Sequence, residues 1–236
     1  MALRINYNLA ASVAQRSLGA SQDNYAKQAE RLATGLRINK AGDDAAGMAV
    51  SERLKNQVRG LNQAARNAQD GISMIQTAEG AMGEAHSILA RMRELAIQAS
   101  NDTVTANDRA NLQVEFSALY SEIDRIASST QFNGTAVLNG ANGNGLKLQI
   151  GANKDSSGDN AITLNISSTS GFQPTMLDAN FSGAGSSITS QSLASGTITV
   201  LDNAVNAVSS ARASLGALQA RLESAGRSIS VAAENA

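Results

Sequence analysis

The order of apolar and polar positions carries most of the structural information in this chain. From Leu54, apolar residues fall at Val58, Leu61, Ala65, Ala68, Ile72, Ile75, Ala78, Met82, Ala85, Ile88, Met92, Leu95 and Ala99. The steps alternate between four and three, with two successive threes around Ile75 and again around Ala85. A heptad-like seam this long predicts coiled-coil-style packing. A helix from about residue 57 to residue 100 would extend roughly 65 Å at ~1.5 Å per residue. After a break at Asn101-Asp102, Thr105 stands three residues before Asp108, the pattern of a helix N-cap with an acidic first turn. A second stripe follows at Leu112, Phe116, Leu119, Ile123 and Ile126. The C-terminal stretch repeats the motif at Ile198, Leu201, Val205, Val208, Ala211, Leu215, Leu218, Leu222, Ala225, Ile229 and Ala232. The residues expected to form the seam between these three helices are Leu61, Ile72, Ile75, Met92, Leu112, Phe116, Leu119, Leu215, Leu218 and Leu222.

The segment before them and the segment between them differ in character. Leu9, Val13, Tyr25, Ala29, Leu32 and Leu36 have helical spacing, yet no neighbouring stretch of sequence offers a partner. Isolated helices are marginal in water, so this region calls for a partner from another chain. Between Ser128 and Gln191 the period changes from helix to strand. Asn-Gly occurs at Asn133, Asn139, Asn142 and Asn144, a dipeptide that tolerates positive φ and marks tight turns. Leu146, Leu148 and Ile150 alternate with polar residues, as do Ile162, Leu164 and Ile166. The polar stretch from Gly151 to Asn160 makes these two runs a hairpin. An insert of this size is too small to rely on a core of its own, and is expected to dock on one end of the bundle.

Composition sharpens this picture. The 236 residues include 3% aromatics, no Trp, no Cys, one Pro and one His, while 42% are hydrophobic. Large aromatic side chains usually dominate thick cores. Their scarcity beside abundant Ala predicts thin, closely packed helices. The fold class expected is therefore mainly α: an elongated bundle of long amphipathic helices with a small β-hairpin insert. A net charge of −1 gives no electrostatic footprint for nucleic acid. Without cysteine there is no disulfide and no thiolate metal site. Residues 1–20 lack a basic segment followed by an unbroken apolar run, so no Sec-type signal is visible. No run is long and apolar enough to predict a membrane span.

Candidate chemistry is sparse. His86 is the sole histidine and cannot assemble a triad or a metal cluster unaided. Adjacent Asp43 and Asp44 are better placed to cap the following helix than to share a reacting group. Gly145 to Gly151 contains no phosphate-cradling pattern. Asn133-Gly-Thr135 and Asn165-Ile-Ser167 match the N-glycosylation triplet, but by coincidence in a chain with no Sec signal. No catalytic residue, cofactor or metal is expected.

Several longer motifs resemble bacterial flagellin. Residues 31–39, RLATGLRIN, are followed by Asp43-Asp-Ala-Ala-Gly47 and Met48-Ala-Val50. Gly60-Leu-Asn-Gln-Ala-Ala-Arg-Asn-Ala-Gln-Asp-Gly71 and Arg93-Glu-Leu-Ala-Ile-Gln98 match too. So do Glu122-Ile-Asp-Arg125, Gln131-Phe-Asn-Gly134, residues 146–153 (LKLQIGAN) and Leu215-Gly-Ala-Leu-Gln219. The matches follow the family's order along the chain. The resemblance implies a secreted subunit of an extracellular filament used in swimming, with an inner helical layer (D0) and an outer rod (D1). Residues 1–42 would be the N-terminal D0 segment and 43–56 a spoke linker. Residues 57–128 would be the N-terminal D1 helices, 129–191 the β-rich insert, and 192–236 the C-terminal D1 helix. Large outer domains are missing after the β-region, and the family's C-terminal D0 helix would lie past Ala236.

The partners implied are copies of the same chain, the flagellar type III export apparatus and the filament cap. A flagellin export chaperone is implied as well, binding a segment past Ala236. No nucleic acid and no membrane insertion are expected. A hook–filament junction protein of the same architecture is the alternative. The resemblance also places Arg91, Leu95 and Glu115 at the positions by which some flagellins engage vertebrate Toll-like receptor 5. The competing reading is that these three serve only contacts between subunits. Leu95 is expected at the seam's edge, partly buried, with Arg91 pointing outward and Glu115 returning beside it on the next helix.

Overall fold

The structure is a computed structural model that describes residues 8–140, 145–154, 160–164 and 187–236. Four helices and four short strands are present among them: α1 (Leu9–Thr34), α2 (Ala45–Ala99), α3 (Ala106–Ser129), β1 (Gln131–Phe132), β2 (Thr135–Ala136), β3 (Leu146–Gln149), β4 (Ala161–Leu164) and α4 (Gln191–Glu234). The chain divides into two compact units, residues 1–56 and 57–236.

In the first unit the helix boundaries follow local chemistry. The Asn8 side chain accepts a hydrogen bond from the Ala11 N–H and caps α1, and Gly35 closes the helix in the left-handed region at φ 68°. A network of short-range bonds holds the connection to α2. Asn39 Nδ2 donates to Thr34 Oγ1 at 2.8 Å, and Lys40 Nζ pairs with Glu30 at 2.9 Å. The two aspartates act separately. Asp43 accepts from the backbone N–H groups of Lys40 and Asn39, which hold its carboxyl below the usual range, with Arg31 at 3.8 Å. Asp44 caps α2 by accepting from the Gly47 N–H at 2.9 Å. The segment 43–56, expected as a linker, is thus helical from Ala45 onward. A capped start followed by strong helix formers leaves no reason for an extended chain there. No residue of α1 is buried.

The second unit is built on two strict heptad stripes. On α2 the fully buried positions are Leu61, Ala64, Ala68, Gly71, Ile75, Ala78, Met82, Ala85, Leu89, Met92, Ala96 and Ala99, with Leu95 beside them. The 3-4 alternation of these twelve positions is unbroken. The paired threes read from sequence arise from choosing Ile72 and Ile88 over their neighbours Gly71 and Leu89. On α4 the same rule holds through Ala194, Thr197, Leu201, Ala204 and Val208 to Leu215, Leu222 and Ile229, so Ala204 rather than Val205 occupies the seam. Thr197 is the one buried polar residue there, and its hydroxyl donates to the Leu193 carbonyl at 2.9 Å. Ala and Gly on these seams let the helices approach closely, which answers the shortage of aromatics.

Helix α3 turns back on α2. Arg109 ties the corner by donating to the carbonyls of Ala99 (2.8 Å) and Asn101 (3.0 Å). These bonds satisfy acceptors that a helix C-terminus leaves open. Thr105 and Asp108 form the expected capping box. Phe116, Ile123 and Ala127 are buried against the other helices. Past Ser129 the β elements take over the role of covering α2. Asn133 (φ 49°) and Gly134 (φ 76°) form the two-residue turn between β1 and β2. Val137 and Leu138 then enter the core.

β3 and β4 pair antiparallel with Leu146 opposite Leu164 and Leu148 opposite Ile162, the hairpin expected from the alternation. Leu148 lies against Gly71, Asn67 Nδ2 donates to the Gln149 carbonyl at 2.9 Å, and Ala152 approaches Gly60. The hairpin therefore runs along α2 from Gly71 to Gly60, at the end of the unit that α3 does not reach. Residues 1–7, the turns at Asn142 and Asn144, the loop centre 155–159, and Ile166 with the Asn165 triplet lie outside the described residues.

Candidate interaction surfaces

The described residues provide no obvious chemistry. No group of three or more His, Cys, Asp or Glu that could hold a metal occurs among them, and none of their helices is long and apolar enough to cross a membrane. His86 stands alone on α2, its Nδ1 buried without a partner among the described residues. It is one heptad from Glu79 and one from Arg93. Glu79 faces Arg212 (3.6 Å) and Arg93 faces Asp202 (2.6 Å), both across to α4. These pairs set the antiparallel register of α2 and α4. Of the expected seam residues, Leu61, Ile75, Met92, Phe116, Leu215 and Leu222 are buried. Ile72, Leu112, Leu119 and Leu218 are half-buried, packed against the core from its flanks.

Surfaces are the more informative feature. Arg91 and Glu115 come together across α2 and α3, the guanidinium Nε donating to Glu115 Oε1 at 2.9 Å. A second nitrogen of Arg91 reaches Glu94 at 3.1 Å. Glu115, then Glu94, stabilise the charged guanidinium and raise its pKa. All three side chains remain well exposed. Leu95 departs from the expectation: it is 1% exposed, not partly open at the seam's edge. The reason is that α3 and α4 flank α2 from two sides at this level. The seam widens there to take in Leu95 as well as Ala96. Leu95 supports the patch from beneath and offers no surface knob. Two residues that the sequence did not single out belong to this patch instead. Glu94 shares Arg91, a pairing legible from its i,i+3 spacing. Val114 is 69% exposed beside Glu115, and only its place off the apolar stripe of α3 signals that.

In the first unit Leu18, Tyr25 and Leu32, spaced by sevens, are exposed along one side of α1; Leu9 and Val13 are exposed on another side, as is Leu36 just beyond the helix. Asn8 and Gly35 cap the helix, but nothing covers its stripe among the described residues.

Comparison with known proteins agrees with this architecture. The family described as the bacterial flagellin N-terminal helical region matches residues 5–143. The chain is 46% identical over 231 residues to a flagellin of Halalkalibacterium halodurans, covering 98% of this chain and 81% of the relative. It is 44% identical over 237 residues to the flagellar filament 30.7 kDa core protein of Treponema maltophilum, covering 98% and 82%. Among solved structures, Bacillus cereus flagellin superposes with a TM-score of 0.57 at 32% identity, over 70% of this chain and 88% of that one. With long heptad-patterned helices, a hairpin docked on small α2 residues, and identity sustained over nearly its whole length, this chain belongs to the bacterial flagellin family.

Proposed function

We propose that this chain is a structural subunit of a bacterial flagellar filament, polymerising through its amphipathic helices, and that it catalyses no reaction. The observation that carries the reading is α1: a capped helix with an apolar stripe and not one buried residue. Such a stripe, left in water, forfeits roughly 1.5–3 kcal/mol for each large apolar side chain that burial would recover. Copies of the same chain are the occupants that the family relationship supports. In this reading residues 1–42 join the inner layer, 43–56 connect the layers, and 57–236 form the outer rod. The subunit leaves the cell through the type III export apparatus and is added beneath the filament cap. A chaperone would meet it before export. Adding short filament fragments to monomer tests the proposal. Elongation, with Leu32→Asp or Tyr25→Asp abolishing it while the second unit keeps its melting temperature, is the expected outcome. A monomer that never extends seeds overturns it. Hook–filament junction proteins share the architecture, but would extend seeds by a single layer and stop.

A second reading rests on the exposed Arg91–Glu115–Glu94 group, a planar cation held in place by two carboxylates and suited to anchoring a partner. We infer that this face of free monomer binds Toll-like receptor 5. Arg91→Ala should weaken binding roughly fivefold or more with folding unchanged. Equal binding by that variant would assign the face to filament contacts alone.

A further inference from the structure

Asn-Gly pairs make turns, but they also carry a chemistry of their own. The backbone nitrogen of the glycine, once deprotonated, attacks the Cγ of the asparagine before it. A five-membered succinimide closes and the Nδ2 group leaves as ammonia. Water then opens the ring at either carbonyl, giving aspartate or, with the chain rerouted through the side-chain carbon, isoaspartate. The sum is amide plus water to carboxylic acid plus ammonia, with no oxidant and no catalyst. Glycine is the favourable successor because no side chain shields its nitrogen. The ring closes only when the asparagine Cβ and the glycine nitrogen lie on the same side of the Cα–C bond.

The two described pairs meet this condition differently. Asn133, at φ 49°, is the one non-glycine residue in the left-handed region among the described residues. There ψ is about +47°, which sets Cβ and the Gly134 nitrogen nearly opposite each other. The turn is flanked by Phe132 paired with Thr135 and Gln131 with Ala136, and the Val137 N–H donates to the Thr130 carbonyl at 3.2 Å. Rotating ψ into the reactive range takes these rungs apart. Asn139 is placed otherwise. It follows Val137 and Leu138, which anchor in the core, and it lies outside every strand and outside the left-handed region. The Gly140 N–H makes no backbone hydrogen bond among the described residues, so no ladder holds the nucleophile. Both residues are half-buried, within reach of water. Gly140 sits at φ 75°, a conformation that favours glycine, so the backbone itself keeps the reactive pair together.

We propose that Asn139 is a site of spontaneous deamidation in the folded protein, and that the β1–β2 turn shields Asn133 from the same reaction. The product adds one negative charge to a chain of formal net charge −1. As isoaspartate it also adds one backbone atom, at the point where the chain leaves the core, so the helices and the β1–β2 turn keep their packing. The change is irreversible and first order, and it accumulates with the age of each copy.

Incubating the intact protein at neutral and mildly alkaline pH, then mapping its peptides by mass, tests this. Each event exchanges an amide for a carboxylic acid, a gain in mass that the map resolves, and fragmentation beside isoaspartate separates position 139 from Asn142 and Asn144. Asn139 should convert roughly tenfold faster than Asn133 or more, because Asn133 must wait for local opening of its ladder. Both rates should rise with pH, since the nucleophile is the deprotonated nitrogen. In urea the two should convert at similar rates. Asn139→Gln, whose longer side chain closes the ring with difficulty, should remove the fast site and melt as wild type does. If Asn139 in the folded protein converts no faster than Asn133, or converts only in urea, the site is overturned. A melting temperature that falls in step with isoaspartate content would overturn the claim that the fold absorbs the extra atom.

Discussion

The heptad register of α2 can be tested at one pair of adjacent residues. Ile88 and Leu89 are both large and aliphatic, and the spacing of apolar residues in the sequence favours Ile88 for the seam. The structure puts Leu89 there, fully buried, and leaves Ile88 half-buried on its flank. Leu89→Ala removes buried methyl groups and opens a cavity, and such changes cost about 2.7–5 kcal/mol. The upper part of that range applies here. The neighbouring seam residues, Ala85, Met92 and Ala96, are mostly small, and two rigid helices leave them little scope to close the gap. Ile88→Ala loses only part of its burial and opens to solvent instead of a void, a cost of ~1 kcal/mol from area alone. A domain of this size loses roughly 2–4 °C of melting temperature per kcal/mol. Leu89→Ala should therefore melt roughly 10–20 °C below wild type, and Ile88→Ala only a few degrees below. Thermal unfolding followed at 222 nm, with urea titrations to check that the slope is unchanged, gives both numbers. If Ile88→Ala is as damaging as Leu89→Ala, or more so, the register is wrong by one residue and the unbroken 3-4 alternation is an artefact of reading it.

The remaining predictions probe the caps and the glycines. Gly80 sits in the exposed interior of α2 with nothing within 4 Å of an added Cβ, so Gly80→Ala should stabilise by about 1 kcal/mol through helix propensity. At Gly60 an added Cβ would stand 2.9 Å from Ala152 Cβ and 3.3 Å from its Cα. Gly60→Ala should gain nothing despite the same propensity, and a rise in melting temperature equal to that of Gly80→Ala would show that the hairpin does not press on the helix. Thr105→Ala removes an N-cap, and should cost ~1 kcal/mol in urea titrations at neutral pH. The Thr105 hydroxyl and N–H hold the Asp108 carboxyl below its usual range. A group whose folded pKa is depressed lends stability above its unfolded value and loses it as pH falls through the folded one. The gap in urea midpoint between wild type and Asp108→Asn should thus be full at pH 7 and close as pH falls below the ordinary aspartate range; a gap independent of pH would remove the carboxylate from the cap.

How legible all this was in the sequence depends on whether chemistry or packing decides the position. Asp44, Thr105 and the Asn133-Gly134 turn were readable because a cap or a tight turn demands particular side chains within four residues. The β3–β4 pairing was readable for the same reason, since alternation fixes which residues face one way. Gly71 was not: glycine reads as a breaker, and only the Leu148 side chain lying against it shows that it serves as a seam residue too small to hold the hairpin off. Ile88 against Leu89, and Val205 against Ala204, are choices between neighbours of similar character. A hydrophobic count prefers the larger residue, whereas closely spaced helices prefer the smaller one. The helix starting at Ala45 was legible only through its cap at Asp44, since the resemblance that marks 43–56 as a spoke says nothing of its secondary structure.

Leu95 shows what the difference means for function. A residue matched by resemblance to a receptor-binding face is here sealed beneath it, because α3 and α4 both pack on α2 at that level. Any partner of this surface must therefore be held by what stands above Leu95: the Arg91 guanidinium, its two carboxylates and the exposed Val114. Burial of Leu95 still matters to that partner, since it is the packing of α2 against α3 that brings Glu115 to 2.9 Å from Arg91. Truncating Leu95 would loosen both helices and disturb the ion pair without touching a bound molecule. A loss of binding on Leu95→Ala consequently says little about contact unless the melting temperature is measured beside it, whereas a loss on Arg91→Ala, in a domain that melts as before, identifies the face directly.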